Sequence, residues 1–340
     1  MVYECKKCKL TIFIMKARAL KITIMKVLCI GEALIDMICS DRGSSLSKGQ
    51  NFLKKAGGAP ANVAAAIAAL GAKVDMAAKV GKDPFGDHII SLLKEMGVDT
   101  KWVLQDPTFF TTLAFVSLME DGERDFYFNR GADGQLSTND LEHLKIYDYS
   151  IVHFGSATGF LPGPLQATYS HVLEKAKAQN TIISFDPNYR HLLFQNNTQS
   201  FIDQCWPFIE QCHFFKVSDE EAMLITGSNT VHLAAAALRK KTEAIFAITL
   251  GKEGTLLSIG DQLEIIESIA ITPVDATGAG DAFVGAVLFQ LIHLTPSQLA
   301  VITLDEWRKI ISNANKAGAR TCEYMGAMEA FKHLNKSIFE

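Results

Sequence analysis

Short apolar strands alternate with helical segments along most of this chain. The pattern predicts buried strands near residues 27–30, 150–154, 181–185, 213–217 and 244–250, and helices follow several of them. Ser218 and Glu221 open one of these helices in the manner of a capping box, and a final helix is predicted near 310–321. Strands that alternate with helices of about 10–15 residues favour a parallel sheet covered by helices on both faces. We therefore predict an α/β fold built on a doubly wound, mostly parallel sheet.

Composition narrows the class of protein. The chain has 340 residues, of which 48% are hydrophobic and 21% charged, as is typical of a globular protein with a substantial core. Its formal net charge of −4 offers no basic surface to nucleic acid or an anionic membrane, so we expect neither as a partner. The seven cysteines are irregularly spaced, which argues against a disulfide framework and predicts a reducing, cytoplasmic location.

Residues 1–24 do not fit the alternating pattern. The apolar run at 10–15 follows several lysines, but it is too short for a secretory signal or a membrane span. Cys5 and Cys8 resemble half of a zinc ribbon, and because no second Cys-x-x-Cys follows, we expect an incidental pair. We expect 1–24 to be an N-terminal extension, disordered or lying before the true start, and 25–335 to form a single domain.

Two strand-like runs at 112–119 and 124–128 flank the dipeptide Asp121-Gly122. Asp-Gly between such runs is a strong hairpin signal, and a hairpin inserted into an α/β alternation indicates a small separate sheet. We predict a small β-sheet lid made by segments near 37–56 and 108–132. Such a sheet is suited to close over a site or to form a dimer surface.

The sequence Asp-Ala-Thr-Gly-Ala-Gly-Asp at 275–281 precedes an apolar helix predicted near 282–294. Gly278 and Gly280 allow a tight turn and a close approach of the main chain to a ligand. The free N–H groups and the dipole of a helix start form an anion site that commonly binds phosphate. Asp281 can accept a proton from an attacking hydroxyl there, although Asp is also a favoured N-cap and a purely structural role is the alternative.

Two further polar residues lie near predicted strand or helix ends. Asp36 follows the first strand, and the sequence Gly-Gly-Ala-Pro-Ala-Asn at 57–62 leads into an Ala-rich helix at 63–70. Open α/β sheets bind ligands at the carboxyl ends of their strands, which makes Asp36 and Asn62 candidates for binding a small polar ligand. A plain helix entry is the alternative interpretation of the glycine segment.

Several common enzyme signatures are missing from the sequence. No Gly-x-Gly-x-x-Gly follows the first strand, which disfavours a dinucleotide-binding enzyme such as a dehydrogenase. The glycines at 81 and 86 are followed by Asp-His rather than Lys-Ser or Lys-Thr, so they do not form a P-loop. Gly155-Ser156 lacks the surrounding residues of a hydrolase nucleophile elbow.

Three motifs together resemble the ribokinase/PfkB family of sugar kinases. They are Gly-Gly-x3-Asn at 57–62, Asp-Pro-Asn-x-Arg at 186–190 and Asp-x-Thr-Gly-Ala-Gly-Asp at 275–281, and the similarity runs from about 26 to 331. Within the family the first two motifs most resemble fructokinases, because ribokinases usually have a lysine in place of Ala59. The resemblance implies a ribokinase-like fold with helices on both faces of the sheet and a small β-sheet lid.

The resemblance also implies an activity, which is ATP-dependent phosphorylation of a sugar hydroxyl. Fructose, converted to fructose 6-phosphate, is the expected substrate; 2-keto-3-deoxygluconate, another hexose or pentose, or an inactive sugar-binding relative are the alternatives. Asp281 is implied as the base, and the N–H groups of Gly278, Ala279 and Gly280 as the anion hole for the γ-phosphate. By analogy we expect a homodimer formed through the lid sheet.

The remaining site residues follow from the resemblance by position. Sugar contacts are implied for Asp36, Gly58, Asn62, Arg130 and Arg190. Nucleotide contacts are implied for Ser218, which replaces the family's usual Asn, and for Thr249, Gly251, Gly254 and Asn315. Glu221 is implied to organise Mg²⁺ through water. A monovalent cation, K⁺, is implied beside the anion hole at Asp275, Thr277, Thr321, Tyr324, Gly326 and Ala330.

Overall fold

The computed structural model describes residues 25–41, 43–119, 124–155, 158–194 and 197–339. The expectations for residues 1–24 and for the Asp121-Gly122 turn therefore concern residues outside the described part of the chain. The strands of the described residues are β1 (Lys26–Ile30), β2 (Leu34–Cys39), β3 (Phe52–Gly57), β4 (Lys73–Gly81), β5 (Asp99–Asp106), β6 (Leu113–Leu118), β7 (Arg124–Asn129), β8 (Ile151–Phe154), β9 (Ile182–Phe185), β10 (Phe214–Ser218), β11 (Ile245–Thr249), β12 (Thr255–Ile259) and β13 (Gln262–Ile266).

The α-helices of the described residues are α1 (Ala59–Ala69), α2 (Pro84–Glu95), α3 (Pro164–Ala178), α4 (His191–Phe194), α5 (Thr198–Gln211), α6 (Asp219–Thr226), α7 (Val231–Arg239), α8 (Ala279–Leu291), α9 (Pro296–Leu299), α10 (Leu304–Thr321) and α11 (Ala327–Phe331). Short 3₁₀ turns connect several of them. Among these helices none has the length and apolar content needed to span a bilayer.

Two sheets organise the strands. The large sheet has nine strands in the order β13-β12-β11-β10-β9-β8-β1-β4-β5. Its neighbouring strands are parallel except at one edge, where β12 pairs antiparallel with both β11 and β13. The small sheet has four strands in the order β3-β2-β6-β7. The predicted mixed α/β fold with a large, mostly parallel sheet and a second small sheet is confirmed.

Helices cover both faces of the large sheet, because its central strands are apolar on both faces. One core includes residues of α1, α8 and α10, with Trp307 stacked on Phe214 of β10 at 5.7 Å between ring centroids. The other core includes residues of α3, α5, α6 and α7, with Phe208 stacked on Phe185 of β9 at 5.1 Å. Strands buried on both faces are characteristic of doubly wound sheets.

Two helices begin earlier than the sequence pattern predicts. α8 starts at Ala279 rather than near 282, because Gly278 provides a left-handed N-cap. α10 starts at Leu304 and is capped by a reciprocal pair of hydrogen bonds between Thr303 and Glu306. The earlier start of α8 places Asp281 inside the first helical turn, so this aspartate is not the N-cap.

Candidate active site

The start of α8 presents free main-chain donors. The N–H of Ala279 donates to a carbonyl of the preceding turn at 3.2 Å, whereas those of Gly278, Gly280 and Asp281 have no acceptor among the described residues. Gly278 has a φ of 83°, and a Cβ added to it would lie 2.5 Å from the Cβ of Ala327. Both backbone conformation and space therefore require glycine there, and the resulting helix start is suited to bind an anion.

Asp281 is buried in the first turn of α8 and contacts Asn62 of α1. Nδ2 of Asn62 donates to Oδ2 of Asp281 at 2.8 Å, and Oδ1 of Asn62 is buried with no hydrogen-bond partner among the residues that the structure describes. Burial raises the pKa of Asp281, and the Asn62 hydrogen bond and the charges of Arg190 and Lys216 offset part of that rise. A carboxylate of this kind beside free N–H donors is suited to accept a proton.

Asp36 of β2 lies against the glycine pair that begins α1. A Cβ added to Gly57 would lie 2.4 Å from Oδ2 of Asp36, so the carboxylate passes directly over that glycine. Gly58 is the N-cap of α1 with a φ of 102°, and a Cβ there would lie 2.5 Å from the main-chain oxygen of Glu32. Burial raises the pKa of Asp36 to about 6, although the charge of Arg190 opposes the rise.

The two candidate arginines have different surroundings. The guanidinium of Arg130 donates to two main-chain carbonyls of the loop 158–162, at 2.7 and 2.9 Å, and so holds that loop. Arg190 is exposed, and its charge lowers the pKa of both Asp36 and Asp281 against the effect of burial. Arg190 is therefore near enough to act on the charge of both carboxylates, and sugar contacts by Arg130 and Arg190 both stay predictions.

Both carboxylate oxygens of Glu221, in the first turn of α6, accept main-chain hydrogen bonds. Oε2 accepts from the N–H of Ser218 at 2.7 Å, and Oγ of Ser218 accepts from the N–H of Glu221 at 3.1 Å, which confirms the predicted capping box. Oε1 accepts from the N–H of Tyr189 at 2.7 Å. Each oxygen keeps a second lone pair that could accept from a metal-bound water, and a contact between Glu221 and Mg²⁺ stays a prediction.

The candidate nucleotide residues lie at one edge of the large sheet. Ser218 and Thr249 are partners at the carboxyl ends of the parallel strands β10 and β11. Gly251 and Gly254 follow in a turn with φ angles of 58° and 104°. A Cβ on Gly254 would lie 2.1 Å from the carbonyl oxygen of Ile266, so a larger residue would displace the adjacent strand.

Asn315 of α10 fastens its helix to this edge of the sheet. Its Oδ1 accepts from the hydroxyl of Thr255 at 2.7 Å, and its Nδ2 donates to the carbonyls of Ile266 and Glu267 at 2.9 and 3.2 Å. The amide thus holds β12, the end of β13 and α10 together. A contact between Asn315 and a nucleotide stays a prediction.

Two adjacent loops contain the residues assigned to a monovalent cation. Oδ2 of Asp275 accepts from the N–H of Gly326 at 2.8 Å, and its Oδ1 accepts from the N–H and hydroxyl of Thr277 at 2.9 and 2.7 Å. Burial alone would raise the pKa of Asp275, but these hydrogen bonds outweigh it, and the pKa lies below its usual range. The other candidates are Thr321 at the end of α10, Tyr324 stacked on His333, and Ala330 in α11.

Lys216 and Asp186 form a buried ion pair that the sequence analysis did not assign to the site. Nζ of Lys216 lies 3.2 Å from Oδ2 of Asp186, and a Cβ added to Gly280 would lie 3.3 Å from the same Nζ. Burial alone would lower the pKa of Lys216, but Asp186, Glu221 and Asp281 together raise it, so the amine is protonated. A lysine inside the apolar strand Phe-Phe-Lys-Val-Ser was the available sequence signal.

Comparison with known proteins gives a consistent result over nearly all of the described chain. The family model described as pfkB family carbohydrate kinase matches residues 25–334. A probable fructokinase-2 from Arabidopsis thaliana is 34% identical over 307 residues, which cover 89% of this chain and 92% of that protein.

Two solved structures with the same fold contain bound ligands. A double mutant of fructokinase from Vibrio cholerae O395, with fructose, ADP and potassium ion bound, gives a TM-score of 0.77 at 27% identity and covers 92% of this chain and 96% of that chain. A putative ribokinase II from E. coli, in complex with ATP and Mg²⁺, gives a TM-score of 0.79 at 25% identity and covers 92% of this chain and 97% of that chain.

Proposed function

The chain belongs to the pfkB family of carbohydrate kinases, and on that premise we propose that it transfers the terminal phosphoryl group of ATP to a hydroxyl of fructose. The products are fructose 6-phosphate and ADP. The supporting observation is the buried Asp281, hydrogen-bonded to Asn62, beside the free N–H donors of α8. Similarity to fructokinases, one of them solved with fructose and ADP, favours fructose over other sugars and over an inactive relative.

For the proposed reaction the chain itself supplies a proton acceptor and an anion site. The sugar hydroxyl oxygen attacks the γ-phosphorus while Asp281 accepts the hydroxyl proton. The new O–P bond forms as the bond to the β–γ bridging oxygen breaks, and ADP leaves with that electron pair. The free N–H groups of Gly278, Gly280 and Asp281 stabilise the charge on the phosphoryl oxygens. Ala279 contributes less than the resemblance implies, because its N–H already has an acceptor.

Asp36, Asn62 and Arg190 are the side chains proposed to hold the sugar. A carboxylate accepts hydrogen bonds from hydroxyls, an amide both donates and accepts, and a guanidinium donates, which suits the paired hydroxyls of a polyol. The unpartnered Oδ1 of Asn62 is a buried acceptor available for a hydroxyl proton. Gly58 supports these contacts by allowing the chain to pass close to Glu32 in the loop after β1.

ATP is proposed to bind along the edge formed by Ser218, Thr249, Gly251, Gly254 and Asn315. Among the described residues no three His, Cys, Asp or Glu side chains come together in a metal site. Mg²⁺ would therefore take most of its ligands from phosphates and water, with Glu221 oriented toward that water. Bound there, Mg²⁺ would neutralise charge on the β- and γ-phosphates.

We propose that K⁺ binds between the loops at 274–278 and 321–326, beside the anion site, and stabilises the conformation of that site. Contact between Gly278 and Ala327 joins the cation loops to the start of α8, so ordering one loop orders the other. We expect higher kcat in KCl than in NaCl at equal ionic strength, with choline chloride as the control for ionic strength. Equal rates in KCl and NaCl would contradict this proposal.

A homodimer through the lid sheet is the proposed assembly, with a cytoplasmic location. Ile38, Leu53 and Leu118 are 40%, 54% and 60% exposed and lie on one face of the small sheet, which is also the face of Asp36. Exposed apolar side chains grouped in this way are typical of an interaction surface. The cysteines that the structure describes are free thiols, which accords with a reducing compartment.

A panel of sugars assayed for ATP-dependent phosphorylation tests the function. We expect the highest kcat/KM with fructose, and formation of fructose 6-phosphate together with an equal amount of ADP. Asp281→Asn tests the proposed base. Because a positioned base typically raises the rate by about 10²–10⁴-fold, the kcat of this variant should fall by that factor while its affinity for fructose is retained. Near-normal turnover by this variant would restrict Asp281 to a structural role, and no turnover of any sugar by the wild type would refute the kinase proposal.

A further inference from the structure

Lys216 is a buried cation to which the reaction described above assigns no role. It lies in β10, where its side chain is 8% exposed, and its Nζ is 3.2 and 3.5 Å from the two carboxylate oxygens of Asp186. Charge-assisted bonds between ammonium and carboxylate groups are typically about 2.7–2.9 Å long, so this pair is loosely fitted. An ammonium has three donors, and Asp186 is the only acceptor of Lys216 within the described residues.

The ammonium lies beside the free donors of α8. Nζ of Lys216 is 3.3 Å and its Cε 3.7 Å from the position of a Cβ added to Gly280. The N–H groups of Gly280 and Asp281 at the same helix turn have no acceptor in the described part of the chain. An oxyanion that accepts from these N–H groups would therefore lie next to a full positive charge held out of water.

We propose that Lys216 contacts the transferred phosphoryl group, donating a hydrogen bond to a non-bridging oxygen, while Asp186 holds the ammonium in place. The inference rests on the proposed kinase activity. Lys216 keeps its three protons throughout, Asp281 accepts the hydroxyl proton, and ADP leaves with the electron pair of the broken O–P bond. The charge of Lys216 acts most strongly as negative charge shifts toward the transferred group, and the low exposure of the ammonium limits screening by water.

The structural alternative is that Lys216 and Asp186 only neutralise each other. Replacing a whole buried ion pair by neutral residues is often tolerated, whereas removing one partner leaves a buried charge and destabilises the protein. The double variant Lys216→Met with Asp186→Asn therefore separates the two roles, since it removes the charge from the site without leaving an unpaired one.

The test compares Lys216→Met, Asp186→Asn and the double variant for thermal stability and for kcat. We expect each single variant to lose stability and the double variant to regain it. Loss of one stabilising donor typically costs about 10²–10³-fold, so kcat should stay reduced by that factor in the double variant. Recovery of kcat together with stability would overturn the proposal.

A binding measurement tests the contact without turnover. Titration with a non-hydrolysable ATP analogue and with ADP, both in excess Mg²⁺, gives the ratio of the two affinities for the wild type and the double variant. We expect the preference for the analogue over ADP to fall about tenfold in the double variant, because only the analogue has the γ-phosphate that Lys216 contacts. An unchanged ratio would overturn the proposal. If the wild type phosphorylates no sugar, the proposed function fails, while this ratio still decides the role of Lys216.

Discussion

At the scale of residues, the candidate site contains carboxyl groups whose ionisation is opposed by burial. Burial raises the pKa of Asp36 to about 6 and also raises that of Asp281. A catalytic base works best with a pKa nearer to the operating pH than that of a free carboxylate, so burial favours proton transfer to Asp281. Asn62 and Arg190 limit the rise by stabilising the charged form.

Substitution of Asn62 should shift the pH dependence of the reaction. Asp281 must be ionised to accept a proton, so kcat falls as the pH drops through its pKa. Asn62→Ala removes a hydrogen bond that lowers this pKa, and we therefore expect the acid limb of kcat to move to higher pH. The measurement is kcat at saturating fructose and ATP between about pH 5 and 9, a range that spans the raised carboxyl values.

Asn313→Ala is the control for this shift, because Asn313 donates to Gln290 and is not among the residues that contact Asp281. Its acid limb should coincide with that of the wild type. An acid limb that stays in place in Asn62→Ala, or moves to lower pH, would contradict the assignment of Asp281 as the titrating base.

At the scale of elements, the packing of α1 against α8 aligns Asp281, the proposed base, with Asn62. The two helices pack tightly at Gly285, where an added Cβ would lie 2.7 Å from the Cβ of Ala66. Asn62 lies four residues before Ala66, and Asp281 lies four residues before Gly285. Both side chains are thus about one helical turn before the contact, on the same side of it. Gly285 therefore sets the distance between the first turns of the two helices.

Gly285→Ala should disturb stability and catalysis together. The added methyl group overpacks the contact with Ala66, which typically costs about 1–3 kcal/mol, and it separates the helices that carry Asn62 and Asp281. We expect a lower urea midpoint and a reduced kcat. Gly260→Ala in the β12–β13 turn is the control. Its φ of 53° makes alanine strained there, so stability should fall, but an added Cβ meets nothing within 4 Å and kcat should stay unchanged. Normal kcat in a destabilised Gly285→Ala would show that this contact does not set the site geometry.

At the scale of the whole molecule, the small sheet joins the proposed sugar site to an exposed surface. Asp36 and Ile38 lie two residues apart on β2 and therefore on the same face. A second copy that covered the exposed apolar part of this face would lie close to Asp36. Association and sugar binding would then be coupled, because both would order the same four strands.

A charge on the exposed part of this face should weaken self-association. Leu118 is 60% exposed on the small sheet and Leu233 is 56% exposed on α7, so Leu233→Lys is a matched control for Leu118→Lys. We expect sedimentation equilibrium to show a dimer for the wild type and for Leu233→Lys, and a larger monomer fraction for Leu118→Lys, because the lysine would be desolvated at the interface. A monomeric wild type would refute the dimer, and equal association of the two variants would place the interface elsewhere.

Some of these features were accessible from sequence because their signals are local. The Ser-x-x-Glu spacing predicted the capping box of Ser218 and Glu221, which the structure confirms. The glycine motif before α8 predicted a helix start, although the helix begins three residues earlier than expected. The hydrogen bond from Tyr189 to Glu221 was not predictable from sequence, because it joins the loop after β9 to α6, the helix that follows β10.

The sequence by itself determined the parallel α/β architecture, the small second sheet and the helix start after the glycine motif, because hydrophobic period, turn residues and caps act over a few neighbouring positions. Tertiary structure alone decided which polar groups meet. Asn62 and Asp281 are 219 residues apart, and they touch because α1 packs on α8. Lys216 reaches Asp186 because β9 and β10 are neighbours, and it reaches Gly280 because α8 packs over that face of the sheet. Strand order and helix packing result from burial over the whole chain, which no local pattern encodes.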